Sequence, residues 1–247
     1  MGNVRCEYNW HNTGRQVFYD GSTFETLLTG YPVQFVEDFV GTSGGGPFGA
    51  TTMWNVVDVG TATEAIVADS SNGQFLLHLS GDNQDQDAVL YHGNNRTFDV
   101  GHGLIFEARV NMAVLPGTGV IAVFGMCTDH NLDKDTIAES AWFRFDASLT
   151  CTVETDDTTG ATETSKVATG FDASAGTWDI YRIDFTNLAN VKFFINGARV
   201  AAATTFDMSA LAGATLNMQP YFSLDKTGSA ELGDINIDYV KIFSNRA

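Results

Sequence analysis

The 247-residue chain is 44% hydrophobic and only 17% charged, a size open to two small domains or one large sandwich. Its net charge of −17 argues against nucleic-acid backbones and anionic membrane surfaces as partners, because both are themselves negative. No stretch approaches the roughly 20 apolar residues of a membrane helix. The opening decapeptide, MGNVRCEYNW, lacks the apolar core of a signal peptide, so synthesis in a cytoplasm is expected.

Residues 1–32 differ from the rest of the chain. Tyr8, Trp10, Phe18, Tyr19, Phe24 and Tyr31 stand among polar residues without a long alternating run. This reads as an N-terminal arm that lies across its own domain or a neighbouring subunit, with Tyr8, Trp10, Phe18 and Tyr19 as candidate partner contacts. The competing reading is an edge strand of the main domain.

From Val33 onward strand signals become regular. Strands are predicted at Val33–Val40, Trp54–Val59, Gly73–Ser80, Ile105–Val114 and Gly119–Cys127. Ile105–Val114 places Glu107 and Arg109 on one face and Phe106, Ala108 and Val110 on the other. Gly119–Cys127 is nearly all apolar, as in a central strand buried on both faces. Ala141–Asp146, Thr150–Asp156, Thr177–Phe185, Val191–Ile195 and Ala198–Ala202 come next. The Asn196-Gly197 pair between the last two marks a two-residue hairpin turn, which needs positive φ at both positions. Gln219–Leu224 and Asp234–Phe243 close the chain. Within the latter, Ile237, Tyr239 and Lys241 are expected to oppose Asp238, Val240 and Ile242. Helical turns are expected only at Asp133–Ser140 and Phe206–Leu211. Many short strands and few helices predict an all-β, two-sheet sandwich or jelly roll over residues 33–247.

The three cysteines, Cys6, Cys127 and Cys151, are widely spaced, which suits buried free thiols better than a disulfide framework or a zinc site. Neither a nucleophile elbow nor a phosphate-binding loop is present. Glu154 and Asp156 lie two apart but run into a polar turn, and His78 sits between leucines as a core or face histidine. Asp129, Asn131, Asp133 and Asp135 place oxygen side chains at every second position, like the start of a calcium loop, though without its glycine and distal glutamate. Asp82-Asn83-Gln84-Asp85-Gln86-Asp87 reads as a second acidic loop, in which a solvated turn is the simpler account. Trp142, Phe143 and Tyr221 are candidates for a sugar-stacking platform, although most of the eighteen Phe must fill the core.

Four segments carry a resemblance. Glu37-Asp38-Phe39-Val40-Gly41 with Trp54 after it, then Trp178–Phe185, Val191–Val200 and Ile237–Ile242 resemble, in order and spacing, the concanavalin A-like lectin/glucanase superfamily. The resemblance covers about residues 33–247 and implies a concanavalin A-like jelly-roll sandwich. It also implies a structural calcium ion held by Glu37 or Asp38 together with Asp238. The acidic triplet E-x-D-x-E of the superfamily's hydrolases, and the Arg-x-Glu-Leu-Arg of its lyases, are absent. Asn9-Trp10, Asp38-Phe39, Phe106–Arg109, Ser140–Arg144 and Pro220–Phe222 resemble structural proteins of tailed bacteriophages. That second likeness implies a non-catalytic virion protein, made in the host cytoplasm and docked on the capsid surface. Its partners would be the major capsid protein or other virion proteins, with oligomeric or lattice-bound copies and a face for weak glycan binding. The alternatives are a lectin-like carbohydrate-binding module and, behind it, a glycoside hydrolase or polysaccharide lyase.

Overall fold

The computed structural model describes residues 4–8, 16–26, 31–40, 53–157 and 164–246. In chain order its strands are β1 (Val4–Tyr8), β2 (Gln16–Asp20), β3 (Val33–Glu37), β4 (Asn55–Val59), β5 (Thr63–Ile66), β6 (Phe75–Leu79), β7 (Gln84–Tyr91), β8 (Phe98–Asp99) and β9 (Ile105–Val114). They continue as β10 (Val120–Cys127), β11 (Glu139–Asp146), β12 (Thr150–Asp157), β13 (Thr164–Asp172), β14 (Trp178–Asp184), β15 (Lys192–Ile195), β16 (Ala198–Val200), β17 (Asn217–Ser229) and β18 (Gly233–Ser244).

Two antiparallel sheets face each other. Sheet I runs β13-β12-β11-β10-β17-β7-β4, with β8 on the first residues of β17. Sheet II runs β16-β15-β14-β9-β18-β6-β5, with β3 on the second half of β18. Side chains alternate across each strand, so each sheet sends one apolar row inward. Phe124, Phe143 and Phe222 of sheet I meet Phe106, Tyr181 and Phe193 of sheet II in one core. Phe143 lies 5.0 Å from Tyr181 and 5.4 Å from Phe193, both edge-on. Such contacts add about 0.5–1.5 kcal/mol each beyond buried area. Cys127 and Cys151 are buried free thiols, as expected. The Asn196-Gly197 turn has φ of 50° and 74°, as the hairpin requires.

Several expectations are corrected. β5, β7 and β13 are strands that the periodicity does not predict. The Asp82–Asp87 segment is not a solvated loop throughout, because β7 starts at Gln84 and buries Gln86 and Asp87. Phe206–Leu211 is not helical. Phe206 bridges Val191, and the helical turn falls at Gly213–Leu216. The extended path lets Phe206 and Met208 both reach the core. In β18 a register shift between Ile237 and Tyr239 breaks the expected alternation. Ile237, Val240 and Ile242 enter the core, while Tyr239 turns outward to Glu107. A bulge places two consecutive residues on one face, which a strict period of two cannot foresee.

The N-terminal strands β1 and β2 pair with each other as a separate hairpin. The segment after them lies on the outer face of sheet II. There the Thr26 backbone N–H donates to Glu107 at 2.9 Å and its hydroxyl donates to the same carboxylate. Tyr239 also donates to Glu107, at 3.1 Å. Across the sheet Glu107 is flanked by Arg182 on β14 and Lys241 on β18. Lys241 in turn donates to Glu25 at 2.5 Å. Glu107 is fully buried, and that burial raises its pKa above the ordinary carboxylate range. The N-terminal strap thus closes over a buried charged row of its own domain.

Candidate functional site

The outer face of sheet I carries three parallel ranks of side chains, fixed by strand register. The first runs Val59, Asp87, Asp225, Ile121 and Asp146 across β4, β7, β17, β10 and β11. The second runs Val57, Val89, Ser223, Val123, Arg144 and Thr152. The third runs Asn55, Tyr91, Tyr221, Gly125, Trp142 and Glu154. An outer sheet face is ordinarily polar. Here Val89, Val123, Cys127, Ile137, Trp142 and Tyr221 form a second apolar cluster, separate from the core. Gly125 lets the two aromatics approach, with ring centroids 6.2 Å apart. A Cβ there would fall 2.3 Å from the Ala141 carbonyl oxygen and 2.7 Å from the Trp142 Cα.

Charges surround the aromatics. The side chain of Arg144 is almost wholly buried and lies between carboxylates, donating to Asp135 at 2.5 Å and to Glu154 at 3.2 Å. Trp142 Nε1 also donates to Glu154. The guanidinium's bonds to Asp135 hold that carboxyl below the usual range. In the first rank, the buried ammonium of Lys134 pairs with Asp225. Asp87 accepts from Ser223 at 3.2 Å. Burial pushes the Asp87 carboxyl up to about 6; Lys134 opposes the shift, and Asp225 and Asp58 add to it. Burial also raises Asp225, against the pull of Lys134. The first rank opens into a groove of about 520 Å³ lined by Asp87, Asp225, Lys134, Arg144 and the half-exposed Leu132.

The segment between β10 and β11 lies over this face. It contains Asp129, Asn131, Asp133 and Asp135, which the structure puts to separate uses. Asp129 pairs with Arg96 at 3.4 Å. Asn131 accepts from the Asp133 backbone N–H at 3.1 Å, and Asp133 from that of Asp135 at 3.1 Å. Asp135 is taken by Arg144. The turn chemistry expected of Asx residues accounts for Asn131 and Asp133, and the oxygens do not converge on one point.

Asp38 and Asp238 line one cleft of about 790 Å³ on the sheet II side, together with Trp178, Asn196 and strap residues. The neighbours that would complete a calcium cradle there are otherwise engaged. Arg109 donates to Asp238. The two Glu37 oxygens accept from Phe39 N–H at 2.8 Å and Trp54 Nε1 at 3.2 Å. Among the described residues no three His, Cys, Asp or Glu side chains group as metal ligands, so the donor set does not fit the implied ion.

Of the arm residues, Trp10 lies outside the described residues, and Tyr8 falls in β1. Phe18 is exposed, whereas Tyr19 is buried under the Arg182 guanidinium, 6.0 Å from its ring centroid. Of the three platform candidates, Phe143 belongs to the core, while Trp142 and Tyr221 belong to the outer face. His78, read as a core or face residue, pairs with Asp234 at 2.6 Å. Sequence reasoning missed Lys134, Asp87 and Asp225 as groove residues. For Asp87 and Asp225 the local signal is a charged side chain on a partly apolar strand; Lys134, in a short turn between strands, carries none.

No family profile matches the chain, and no curated protein does. Solved structures do. A Shewanella oneidensis protein of unknown function superposes with a TM-score of 0.59 at 15% identity, over 92% of this chain and 93% of that one. A family 16 endo-glucanase from Bacteroides ovatus gives 0.56 at 15%, over 85% and 99%. The carbohydrate recognition domain of Emp46p, in a potassium-bound form, gives 0.53 at 10%, over 79% and 90%. These likenesses establish the fold: a jelly-roll sandwich of the concanavalin A-like lectin and glucanase type.

Proposed function

We propose that the chain is a non-catalytic, lectin-like sandwich that adheres to carbohydrate through the outer face of sheet I. The observation that carries this reading is the combination there of Trp142, Tyr221 and Tyr91 with Arg144, Glu154, Asp87 and Asp225. Aromatic faces take the apolar side of a pyranose ring, and fixed carboxylates and guanidinium groups take its hydroxyls; with Trp142 and Tyr221 buried, their use requires the segment between β10 and β11 to move aside. The fold shared with a carbohydrate recognition domain and an endo-glucanase supports the choice of ligand by analogy. The non-catalytic part rests on the carboxylates being spoken for. Asp225 faces Lys134, Asp135 and Glu154 share Arg144, and Asp87 leans on Ser223. Affinity electrophoresis through gels cast with laminarin, carrageenan or alginate tests the reading. Retardation by at least one polysaccharide supports it, and free migration through all of them rejects it.

We further propose that this adhesive domain works as a structural component of a tailed-phage particle, docked on the capsid. The sequence likeness at Asn9-Trp10, Ser140–Arg144 and Pro220–Phe222 is its support. Many displayed copies would turn weak glycan contacts into firm attachment. Mass spectrometry of gradient-purified particles, quantified against the major capsid protein, decides. A simple stoichiometric ratio supports lattice docking, and recovery of the protein only as free material in the lysate rejects it.

One observation favours a second reading, hydrolysis. Asp87, raised to about 6, faces Asp225 across neighbouring strands, and a protonated acid beside a second carboxylate is the minimum equipment of a glycosidase. Release of reducing ends from laminarin, abolished in Asp87→Asn, would establish that reading.

A further inference from the structure

The segment between β10 and β11 touches the body of the protein in an unusual way. Among the described residues, its backbone bonds to a strand only at the hinge, where Thr128 N–H donates to the Glu139 carbonyl. Beyond that, side chains hold it. Most of its residues from Asp129 to Ala138 are exposed, and only Lys134 and Ile137 are buried. The two inserted side chains nearest the polar and aromatic ranks are His130 and Lys134. The His130 ring lies 5.0 Å from Tyr91 and 5.8 Å from Tyr221, and its Nδ1 is 3.1 Å from the Tyr221 hydroxyl. It sits tilted over both tyrosines, its plane at 47° to the Tyr91 ring and 31° to the Tyr221 ring. The Lys134 ammonium occupies the carboxylate end of the first rank.

Two depressions on this face, of about 520 and 340 Å³, are both lined by Lys134 and Asp135. The single helical turn Lys134–Thr136 is what separates them. Beneath the segment, Trp142 and Tyr221 are 2% and 0% exposed, far too closed for any ligand to stack on them as they stand. An aromatic platform set in an outer sheet face, and covered only by side-chain tethers, is the arrangement of a closed lid.

We infer that residues 129–137 are an autoinhibitory lid over the sheet I face, with His130 and Lys134 standing in for a carbohydrate ligand. Opening it joins the two depressions into one groove along the three ranks. The contacts that must break are Asp129–Arg96, Asp135–Arg144, Lys134–Asp225, the His130 N–H to the Asn94 side chain, the tilted His130 ring contacts with Tyr91 and Tyr221, and the burial of Ile137 in the apolar cluster with Trp142 and Tyr221. Ligand binding and lid closure compete for the same surface, so apparent affinity falls by the fraction of molecules that are open. The ligand class rests on the carbohydrate reading above; the lid itself does not.

Two measurements separate them. In the first, hydrogen exchange of the full-length protein is tracked in the lid and in β11. The lid amides are expected to exchange at least tenfold faster in His130→Ala and Asp135→Asn than in the wild type, while Glu139–Asp146 stays protected. Lid and β11 exchanging together in every variant would overturn the lid, whatever the ligand. In the second, the same variants are run against laminarin. If one wild-type molecule in ten is open, releasing the lid tightens binding about tenfold. Unchanged or weaker binding by a variant whose lid exchanges faster overturns the inference that the lid covers the ligand site. Laminarin, carrageenan and alginate all failing to bind even the open variants would reject the carbohydrate reading and with it the ligand mimicry, while the exchange data still decide the lid.

Discussion

At the scale of single residues, His92 shows how burial sets chemistry. It has no exposed surface, and among the described residues neither ring nitrogen has a hydrogen-bond partner. It sits among Trp54 at 4.4 Å, Phe35 at 5.4 Å and Phe98 at 5.8 Å. Burial pulls its pKa down to about 4. The unfolded chain therefore binds a proton between about pH 6.5 and 4 that the folded chain refuses. Stability from this group is complete above pH 6.5 and falls by roughly 3 kcal/mol as the pH drops to 4. Asp87 acts with the opposite sign. Its pKa, raised to about 6, makes its contribution complete below its ordinary value and lost as the pH rises through 6. Between pH 4 and 6 the two slopes oppose each other. His92→Phe is expected to remove the acid-side loss, so that urea midpoints at pH 4.5 rise relative to those of the wild type while those at pH 7 stay close. A variant as acid-sensitive as the wild type would assign the loss elsewhere. Neither residue was legible in the sequence as anything special. The Asn196-Gly197 turn was, because a backbone angle is a local demand. The environment of His92 is supplied by Trp54 and Phe98, and that of Asp87 by Lys134 and Asp225, all distant in the chain or meaningful only after folding.

At the scale of elements, the β15–β16 hairpin and the N-terminal strap depend on each other. Gly197 has φ of 74°, and a Cβ there would lie 2.7 Å from the Phe24 ring. Gly197→Ala is therefore expected to cost about 1–3 kcal/mol through the turn, and to loosen the strap as well. Faster hydrogen exchange in residues 20–26 with β14 unaffected would show the coupling, and an unchanged strap would exclude it. The elements that sequence patterns revealed are those whose apolar residues alternate, such as β9 and β14. β7 escaped because its first four residues, Gln84 to Asp87, are polar, and two of them are buried, Gln86 against Thr61 and Ser80 in neighbouring loops and Asp87 against Ser223 of β17. β13 escaped because it is an edge strand with a residue at positive φ, Lys166, and register shifts against β12. The platform aromatics Trp142 and Tyr221 were visible as candidates, since their residue type carries the chemistry. The lid above them was not, because a loop between strands gives no sign of the surface it will rest on.

At the scale of the whole molecule, each sheet has part of its outer face covered, sheet I by the segment after β10 and sheet II by the N-terminal strap. Deleting residues 1–26 uncovers Glu107, Arg182 and Lys241. Water can hydrate all three, so the sandwich is expected to fold, with a stability loss of about 1–3 kcal/mol. For a chain this long that is a melting temperature lower by roughly 2–4 °C per kcal/mol. Retained far-UV dichroism with a lowered midpoint is the expected outcome, and an unfolded product would make the strap part of the folding core. Particle binding by the same deletion separates the arm's two uses, since loss of docking from a folded variant assigns the arm to the capsid contact.

The sheet order also governs when the protein can exist at all. The last two strands in the chain, β17 and β18, are interior members of sheets I and II, each pairing on both sides. A ribosome that has made everything up to Leu216 has therefore produced two half-sheets with a gap in each, and their shared core still lacks Phe222, Leu224, Ile237, Val240 and Ile242. Completion of both sheets must wait for β17 and β18, and most contacts then form between segments far apart in sequence, a slow route that leaves nascent chains open to aggregation. Truncation at the C-terminus should thus be far more damaging than truncation at the N-terminus. Yield in cells should depend on chaperone capacity during synthesis more than on the stability of the finished sandwich.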